Sequence, residues 1–449
     1  MQTDGLLPHL FRTEYARIVN VLCRRFGFDH IESAEDITSD TFLAAAELWS
    51  VEGNPENPRA WLYAVAKNKA LNFLKRERLF RETLAPALRA EETDGDEPEI
   101  DLSDANIRDS QLRMMFAICH PSIPPEAQVG LSLRILCGFG IDEIAGAFLS
   151  NRETINKRLF RAKESLRARQ EPPGMPPAGE LTERLEAVLA TIYLLFNEGY
   201  YSARGPATIR KDLCVEAMRL AHMLTEDERT NTPAVHALLS LMCFHASRFD
   251  ARTDANGEVI LYDDQDRSLW DGDLINRGEQ ELISAATGER LSRYHIEAAI
   301  AYWHTRVEEK EEKWAHIVEL YDQLLAVADS PMAALNRIYA LGRARGAAEA
   351  IPEAELLGME GDKYYHLLLG ELYTGVDRKK AALHFRRAEC LTNTPSEKHV
   401  IALKLARLAG AAERATRAAD HATGAANRAT GATEGVTPPP AAPGGRVSS

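Results

Sequence analysis

The sequence predicts an all-α protein. Three observations carry that expectation. Long apolar stripes recur at the 3.6-residue period, β-branched alternation is scarce, and the stripes break at only a few stretches rich in acids, proline or small residues. Residues 6–88, 108–170 and 181–409 read as helical. At about 150 residues per domain, a chain of 449 residues should hold roughly two to four domains. Its composition, 45% hydrophobic and 27% charged, is that of an ordinary globular protein. Lys and Arg number 53 against 67 Asp and Glu, a net charge of -14. That balance argues against a protein that coats nucleic acid over its whole surface, but it leaves room for a local basic module. The longest apolar run, Ala187 to Phe196, is about half of a membrane span, so no membrane partner is expected. The N-terminus has neither a basic nor an apolar segment, so a cytoplasmic chain without a signal peptide is expected.

In chain order, the first feature is Ser33-Ala34-Glu35-Asp36, which has the pattern of a capping box. The helix after it should bury Ile37, Phe42, Ala45 and Trp49. Glu35, Asp36, Ser39 and Asp40 should share a polar side, either a docking face for a basic partner helix or a first turn enriched in acids for dipole reasons. Next, Asn57-Pro58 is a helix start, a capping residue followed by proline in the first turn. That helix should run to about Arg81 with Leu62, Ala66, Ala70 and Phe73 as its core stripe. At about 100° per residue, Trp61, Val65, Asn68 and Asn72 fall on a different face. Two amides beside an aromatic, flanked by Lys75 and Arg76, suit stacking and hydrogen bonding to an unpaired base. The alternative is that Trp61 is core and both amides are satisfied locally.

Charge is segregated. From Arg59 to Arg89 there are eight bases and two acids, and from Arg152 to Arg169 seven bases and two acids. Between them, Glu91 to Asp104 holds eight acids and no base, the composition of a solvated linker, placed at 89–107. Two basic helices in an acidic protein suggest two contacts with a polyanion, or two solvated faces. The second basic helix belongs to GIDEIAGAFLSNRETINKRLFRAK, residues 140–163, a candidate helix-turn-helix. Asp142 should cap a first helix carrying Ile144, Ala145, Phe148 and Leu149. After a break at Ser150-Asn151, a second helix should bury Ile155, Leu159 and Ala162. Its outward positions would be Arg152, Glu153, Asn156, Lys157, Phe160, Arg161 and Lys163. Such a helix can enter the major groove; an ordinary hairpin with a basic outer face is the alternative.

Residues 171–180, around Glu171-Pro172-Pro173-Gly174-Met175-Pro176-Pro177, read as a semi-rigid spacer. Residues 181–409 are helical again, and 410–449 lack Leu, Ile and Phe and read as a disordered tail. The six cysteines, at 23, 119, 137, 214, 243 and 390, have neither Cys-x-x-Cys nor zinc spacing and should be reduced, mostly buried thiols. There is no glycine-rich phosphate loop, Gly-x-Ser-x-Gly elbow or His-Glu-x-x-His. No enzyme, metal or cofactor is therefore expected.

Taken in this order, the pieces resemble the bacterial extracytoplasmic-function (ECF) sigma factors over residues 6–170. AEDITSDTFLAAAELW is similar to that family's core-binding helix of region two, PRAWLYAVAKNKALNFLKRERLFR to its promoter-melting helix, and residues 140–163 to the region-four helix-turn-helix. The resemblance implies region two at 1–88 and region four at 108–170, with RNA polymerase core and promoter DNA as partners. It implies polymerase contacts at Glu35, Asp36 and Asp40. It implies minus-ten contacts at Trp61, Asn68, Asn72, Lys75, Arg76 and Arg78, and minus-thirty-five contacts at Arg152, Asn156, Lys157, Phe160 and Arg161. Ser39 and Asn72 depart from the Gln and Asp that many members carry. In the family the connector between the regions threads basic channels of the polymerase, which an acidic strand suits.

Leu367 to Leu391 follows tetratricopeptide (TPR) spacing, with small residues where paired helices would meet, and Trp314 to Ala344 looks like a weaker unit. The whole resembles the ECF subgroup with a TPR-like extension, which carries a segment like Leu195–Tyr200. The extension would take a protein partner or an intramolecular contact. Residues 262–271, YDDQDRSLWD, read either as a loop between repeats or as a contact with the sigma module or polymerase. The rival to a sigma factor is a conventional helix-turn-helix regulator with a TPR-like sensor. Beyond it stand a helical scaffold and an enzyme within the C-terminal half, for which no catalytic spacing is present.

Overall fold

The computed structural model describes residues 3–84, 99–148, 150–169, 172–200, 210–253, 260, 262–288, 290–306, 311–392 and 397–409. Among them are eighteen α-helices, the last at 397–409, and no strand, so the all-α expectation holds. The acidic stretch up to residue 98, Leu149, and the tail 410–449 lie outside the described residues. Two compact units emerge, Met1–Glu308 and Glu309–Ser449.

In the first unit, α1 (Thr3–Phe26) leads through a short turn at Phe28–His30 to α2 (Ile31–Glu52). The capping box expected at 33–36 does not form. The helix has already begun at Ile31, continuing the turn before it, and His30 supplies no side-chain cap. Helix α3 (Pro58–Leu84) starts where expected: the Asn57 side chain accepts a hydrogen bond from Ala60 N at 3.0 Å, and Pro58 occupies the first turn. Leu62, Ala66 and Ala70 are fully buried on one face, while Phe73 is half-buried against Phe26 and His30.

Ser103 caps α4 (Asp104–Ile118), so helix begins inside the stretch expected to be linker, and Ile100 just before it is buried. Then come α5 (Pro125–Leu131), a π-turn at Ser132–Leu136, α6 (Ile141–Ala147) and α7 (Arg152–Arg167). Asp142 does not cap α6. Gly140 holds the cap position, its N–H donates to Glu143 Oε2 at 2.7 Å, and Asp142 pairs with Arg152 instead. Asn151 caps α7 by accepting from Thr154 N at 2.7 Å. Ile144 and Ala145 of α6, and Ile155, Leu159 and Ala162 of α7, are buried as the spacing requires.

The proline-rich segment does not separate two cores. Pro173 is buried and Met175 packs on the apolar interior. One contiguous core runs from Leu10 to Tyr294 and includes α8 (Leu181–Tyr200), α9 (Lys211–Thr225) and α10 (Pro233–Ala246). Polar bonds cross the same join. Arg184 donates to Phe116 O, Thr191 Oγ1 to Gln128 Oε1 at 2.7 Å, and Arg219 Nη2 to Leu136 O at 3.0 Å. Helices α11 (Gly272–Ala285) and α12 (Arg293–Thr305) pack on α10 and complete the unit.

The second unit stacks α13 (Glu311–Val327), α14 (Pro331–Arg345), α15 (Ala347–Leu356), α16 (Lys363–Tyr373) and α17 (Arg378–Leu391), each against the next. Gly370 lies where α16 meets α17, and a Cβ there would come 2.5 Å from Phe385 Cε1. Five cysteines are buried, Cys390 is exposed, and none is paired.

Candidate nucleic-acid interface

Helix α3 has one buried and one open side. Opposite Leu62, Ala66 and Ala70, it exposes Asn68, Asn72, Lys75, Arg76 and Arg78. Neither the Asn68 nor the Asn72 amide has a hydrogen-bond partner among the described residues, so both are available to a ligand. Trp61 stands at the start of this side, half-buried, with its ring set edge-on to Trp49 at 5.3 Å. It is thus partly core and partly accessible. At the far end Phe80 is 62% exposed beside Arg76 and Arg78, an aromatic that periodicity alone did not single out.

Helix α7 exposes Arg152, Asn156, Lys157, Phe160 and Arg161 on one side. Phe160 is 61% exposed, an apolar ring framed by cations. Lys157, Arg158 and Arg161 line an open groove of about 580 Å³ whose other wall is Ser122, Pro124 and Glu126. Lys163, expected to point outward with them, does the reverse. It is 9% exposed, and its Nζ donates to Glu35 Oε2 at 2.5 Å. The outward reading fails because a partner helix, not solvent, lies under that position.

That partner is α2. Asp36 and Asp40 are exposed, and Asp40 lies 3.8 Å from Lys69 of α3. Glu35, expected on the same polar side, is 8% exposed and fully engaged. Its second oxygen accepts from Arg134 Nε at 2.8 Å. Glu32, one turn earlier, pairs with Arg167 and lies 3.7 Å from Lys163. Partial burial works against the Glu32 carboxylate, but the Arg167 hydrogen bond and the charges of Lys163 and Arg167 outweigh it and hold its pKa below 4.5. Helix α1 joins the same two parts from the other side. Arg24 pairs with Asp109 at 2.7 Å, Asn20 Nδ2 donates to Ile135 O at 2.9 Å, and Arg12 pairs with Glu143 at 2.6 Å.

Two segments singled out in the sequence, 195–200 and 262–271, converge on one cluster. Tyr200 Oη meets His245 Nδ1 at 3.1 Å and accepts from Arg248 Nη2 at 3.3 Å. The Arg248 guanidinium also lies over the rings of Tyr262 (5.4 Å) and Trp270 (5.9 Å). The two segments therefore brace one corner of the first unit. Among the described residues no three His, Cys, Asp or Glu side chains converge on a metal-sized point, and no helix is long and apolar enough to cross a membrane.

Among known proteins and families, residues 10–80 match the family model for sigma-70 region 2, and residues 184–286 match a family of unknown function, DUF6596. An uncharacterized protein, R00370, of Rhizobium meliloti (strain 1021) is 37% identical over 399 residues, spanning 87% of this chain and 92% of its own. The RNA polymerase sigma factor YlaC of Bacillus subtilis (strain 168) is 29% identical over 169 residues, 37% of this chain and 93% of its own. The ECF RNA polymerase sigma-E factor of Escherichia coli (strain K12) is 26% identical over 140 residues, 30% of this chain and 73% of its own. No solved structure matches the chain.

Proposed function

Since the chain belongs to the ECF sigma factors, in a form with an added C-terminal domain, we propose that its two basic helices divide promoter recognition between them. As an RNA polymerase sigma factor it has polymerase core and promoter DNA as partners, and the family is in general non-enzymatic. Region two, α1–α3, docks on core through α2, with Asp36 and Asp40 presented to it and Glu35 held in reserve. The open side of α3 then takes an unstacked minus-ten base. Trp61 supplies a ring edge, Asn68 and Asn72 supply amides for a base edge, and Lys75, Arg76 and Arg78 hold the backbone. Unpairing a base costs a few kcal/mol, which pocket contacts partly offset.

Region four places α7 in the minus-thirty-five major groove. Arg152, Lys157 and Arg161 face phosphates, Asn156 can pair with a base edge, and Phe160 can meet a thymine methyl. The observation that carries this reading is the α3 side, where two exposed amides without protein partners lie beside Lys75 and Arg76. The C-terminal helices regulate in cis. Their shared core with region four supports a regulator built onto the DNA-reading module, and the small residue at the α16–α17 crossing supports a TPR-like second unit that takes a protein partner.

Run-off transcription with purified bacterial core polymerase tests the proposal, on the DNA upstream of this protein's own gene and its neighbours. A discrete transcript should require the wild-type protein and weaken at least tenfold with Asn68→Ala. A transcript of equal strength from both proteins would remove Asn68 from the melting site. No transcript, together with no co-elution with core, would remove the sigma mechanism.

A further inference from the structure

The Glu35–Lys163 contact joins two surfaces that the proposed function needs apart. Helix α2 is the helix read as docking on polymerase, and the inference rests on that reading. Helix α7 is the helix read as entering the groove. Their residues lie 128 positions apart in sequence, yet the carboxylate and the ammonium meet in a nearly dry setting.

Every strong polar group around the contact is spoken for. Glu35 takes Lys163 on one oxygen and Arg134 on the other, and the Tyr15 hydroxyl donates to its backbone carbonyl at 3.4 Å. Glu32 takes Arg167, which also holds Glu164. Arg134 reaches on to Phe139 O at 3.2 Å. Three basic side chains thus fill the first two turns of α2, while Lys157 and Arg161 on the same α7 stay exposed.

A buried ion pair contributes little net stability compared with apolar packing, because both charges have lost their water. For the same reason it is a contact that can be exchanged. When the surfaces part, each charge regains hydration or a new partner, whereas a parted apolar seam would be left facing water. Substituting a different basic surface for α7 keeps Glu32 and Glu35 satisfied throughout.

We propose that Glu32 and Glu35 with Lys163, Arg167 and Arg134 form an internal latch. In the free protein the base of α7 occupies the docking helix α2, and a partner engages α2 fully only by presenting basic side chains of its own that displace Lys163 and Arg167. The latch therefore sets a threshold: polymerase and α7 compete for the same two carboxylates. The apparent affinity for core is the intrinsic one reduced by the fraction of protein that is unlatched.

The test uses the full chain with Cys390→Ser and spin labels at Leu43→Cys and Thr154→Cys, both exposed positions on α2 and α7. Lys163→Glu sets a like charge against Glu35 and Glu32. The label separation should lengthen, and unlabelled Lys163→Glu should bind core polymerase at least tenfold more tightly than wild type. Arg167→Glu, at the more exposed edge of the latch, gives the same test with less risk to folding and should shift both readings in the same direction. A separation unchanged in both variants overturns the latch, and so does a longer separation with unchanged affinity for core. If neither wild type nor variants bind core while the separation still lengthens, the docking reading of α2 fails and the α2–α7 contact stands without it.

Discussion

Replacing Thr191 by Val tests whether helices α4–α7 and helices α8–α10 are one folding unit. Thr191 is buried on α8, and its hydroxyl meets Gln128 Oε1 of α5 at 2.7 Å. The donor is fixed by the other end of the glutamine: its Nε2 already donates to Ile123 O at 2.8 Å and His120 O at 3.1 Å, so Oε1 faces Thr191 and must accept. Valine keeps the shape and has a similar helix propensity, but it leaves that buried oxygen without a donor. An unsatisfied buried acceptor costs about 1–3 kcal/mol. With one decade per 1.4 kcal/mol, amide exchange across α4–α5 should quicken by roughly 5- to 150-fold in the variant. Hydrogen exchange read by mass spectrometry on peptides covering residues 104–136 measures this directly. Thr191→Ser, which keeps the hydroxyl, should change it far less. If Thr191→Val left those peptides as protected as in wild type, while α8 itself exchanged faster, α4–α7 would be folding independently of α8, and the shared-core argument would be wrong.

Three other outcomes rest on named contacts. Gly370→Ala should lower stability by up to about 2 kcal/mol in thermal melts, because overpacking against Phe385 outweighs the gain of roughly 1 kcal/mol that alanine brings to a helix; a rise in stability would refute the close crossing. Burial, and then the charges of Arg248, Arg252 and His304, hold His245 neutral well below 6.5. The unfolded chain takes up that proton below about pH 6.5 and the folded chain does not, so this contribution is complete above that pH and is lost below it, at up to about 1.4 kcal/mol per unit. His245→Phe should flatten the fall in urea midpoint between about pH 7 and 5.5, and an unchanged fall would place the acid sensitivity elsewhere. Under native conditions Ellman's reagent should titrate Cys390 alone, since burial pushes the Cys119, Cys214 and Cys243 thiols up to about 12, and fast reaction of a second thiol would contradict the packing.

Much of the fold was legible because its signals are local. Asn57-Pro58 starts α3 whatever surrounds it, and the Ile155–Leu159–Ala162 stripe needs only a helix to lie on one side. The largest failure lies between distant segments. By pattern alone Lys163 and Glu35 belong in solvent, because a charge on an amphipathic helix usually faces water. Each is instead buried because the other is there, and a pairing across 128 residues leaves no mark in either segment alone. Ser33 looked like a cap because its neighbours fit the pattern, but the turn at Phe28–His30 had already launched the helix. The open side of α3 was legible down to its amides, whereas the exposure of Phe80 was not, since an aromatic among cations reads equally well as packed or free. The prolines after residue 171 suggested a spacer by composition, yet helices α8–α10 beyond them complete the core of the helices before them.

That completion has a consequence for synthesis on the ribosome. Helix α7 leaves the exit tunnel well before α8–α10, which supply part of the interior it folds upon. At about 5–20 residues per second, several seconds pass with that interior open on one side. A nascent chain ending near residue 170 would carry the basic side chains of α3 and α7 on an interior that still lacks the residues of α8–α10. Helices α4–α7 thus reach their full packing only once the chain has been made through α10.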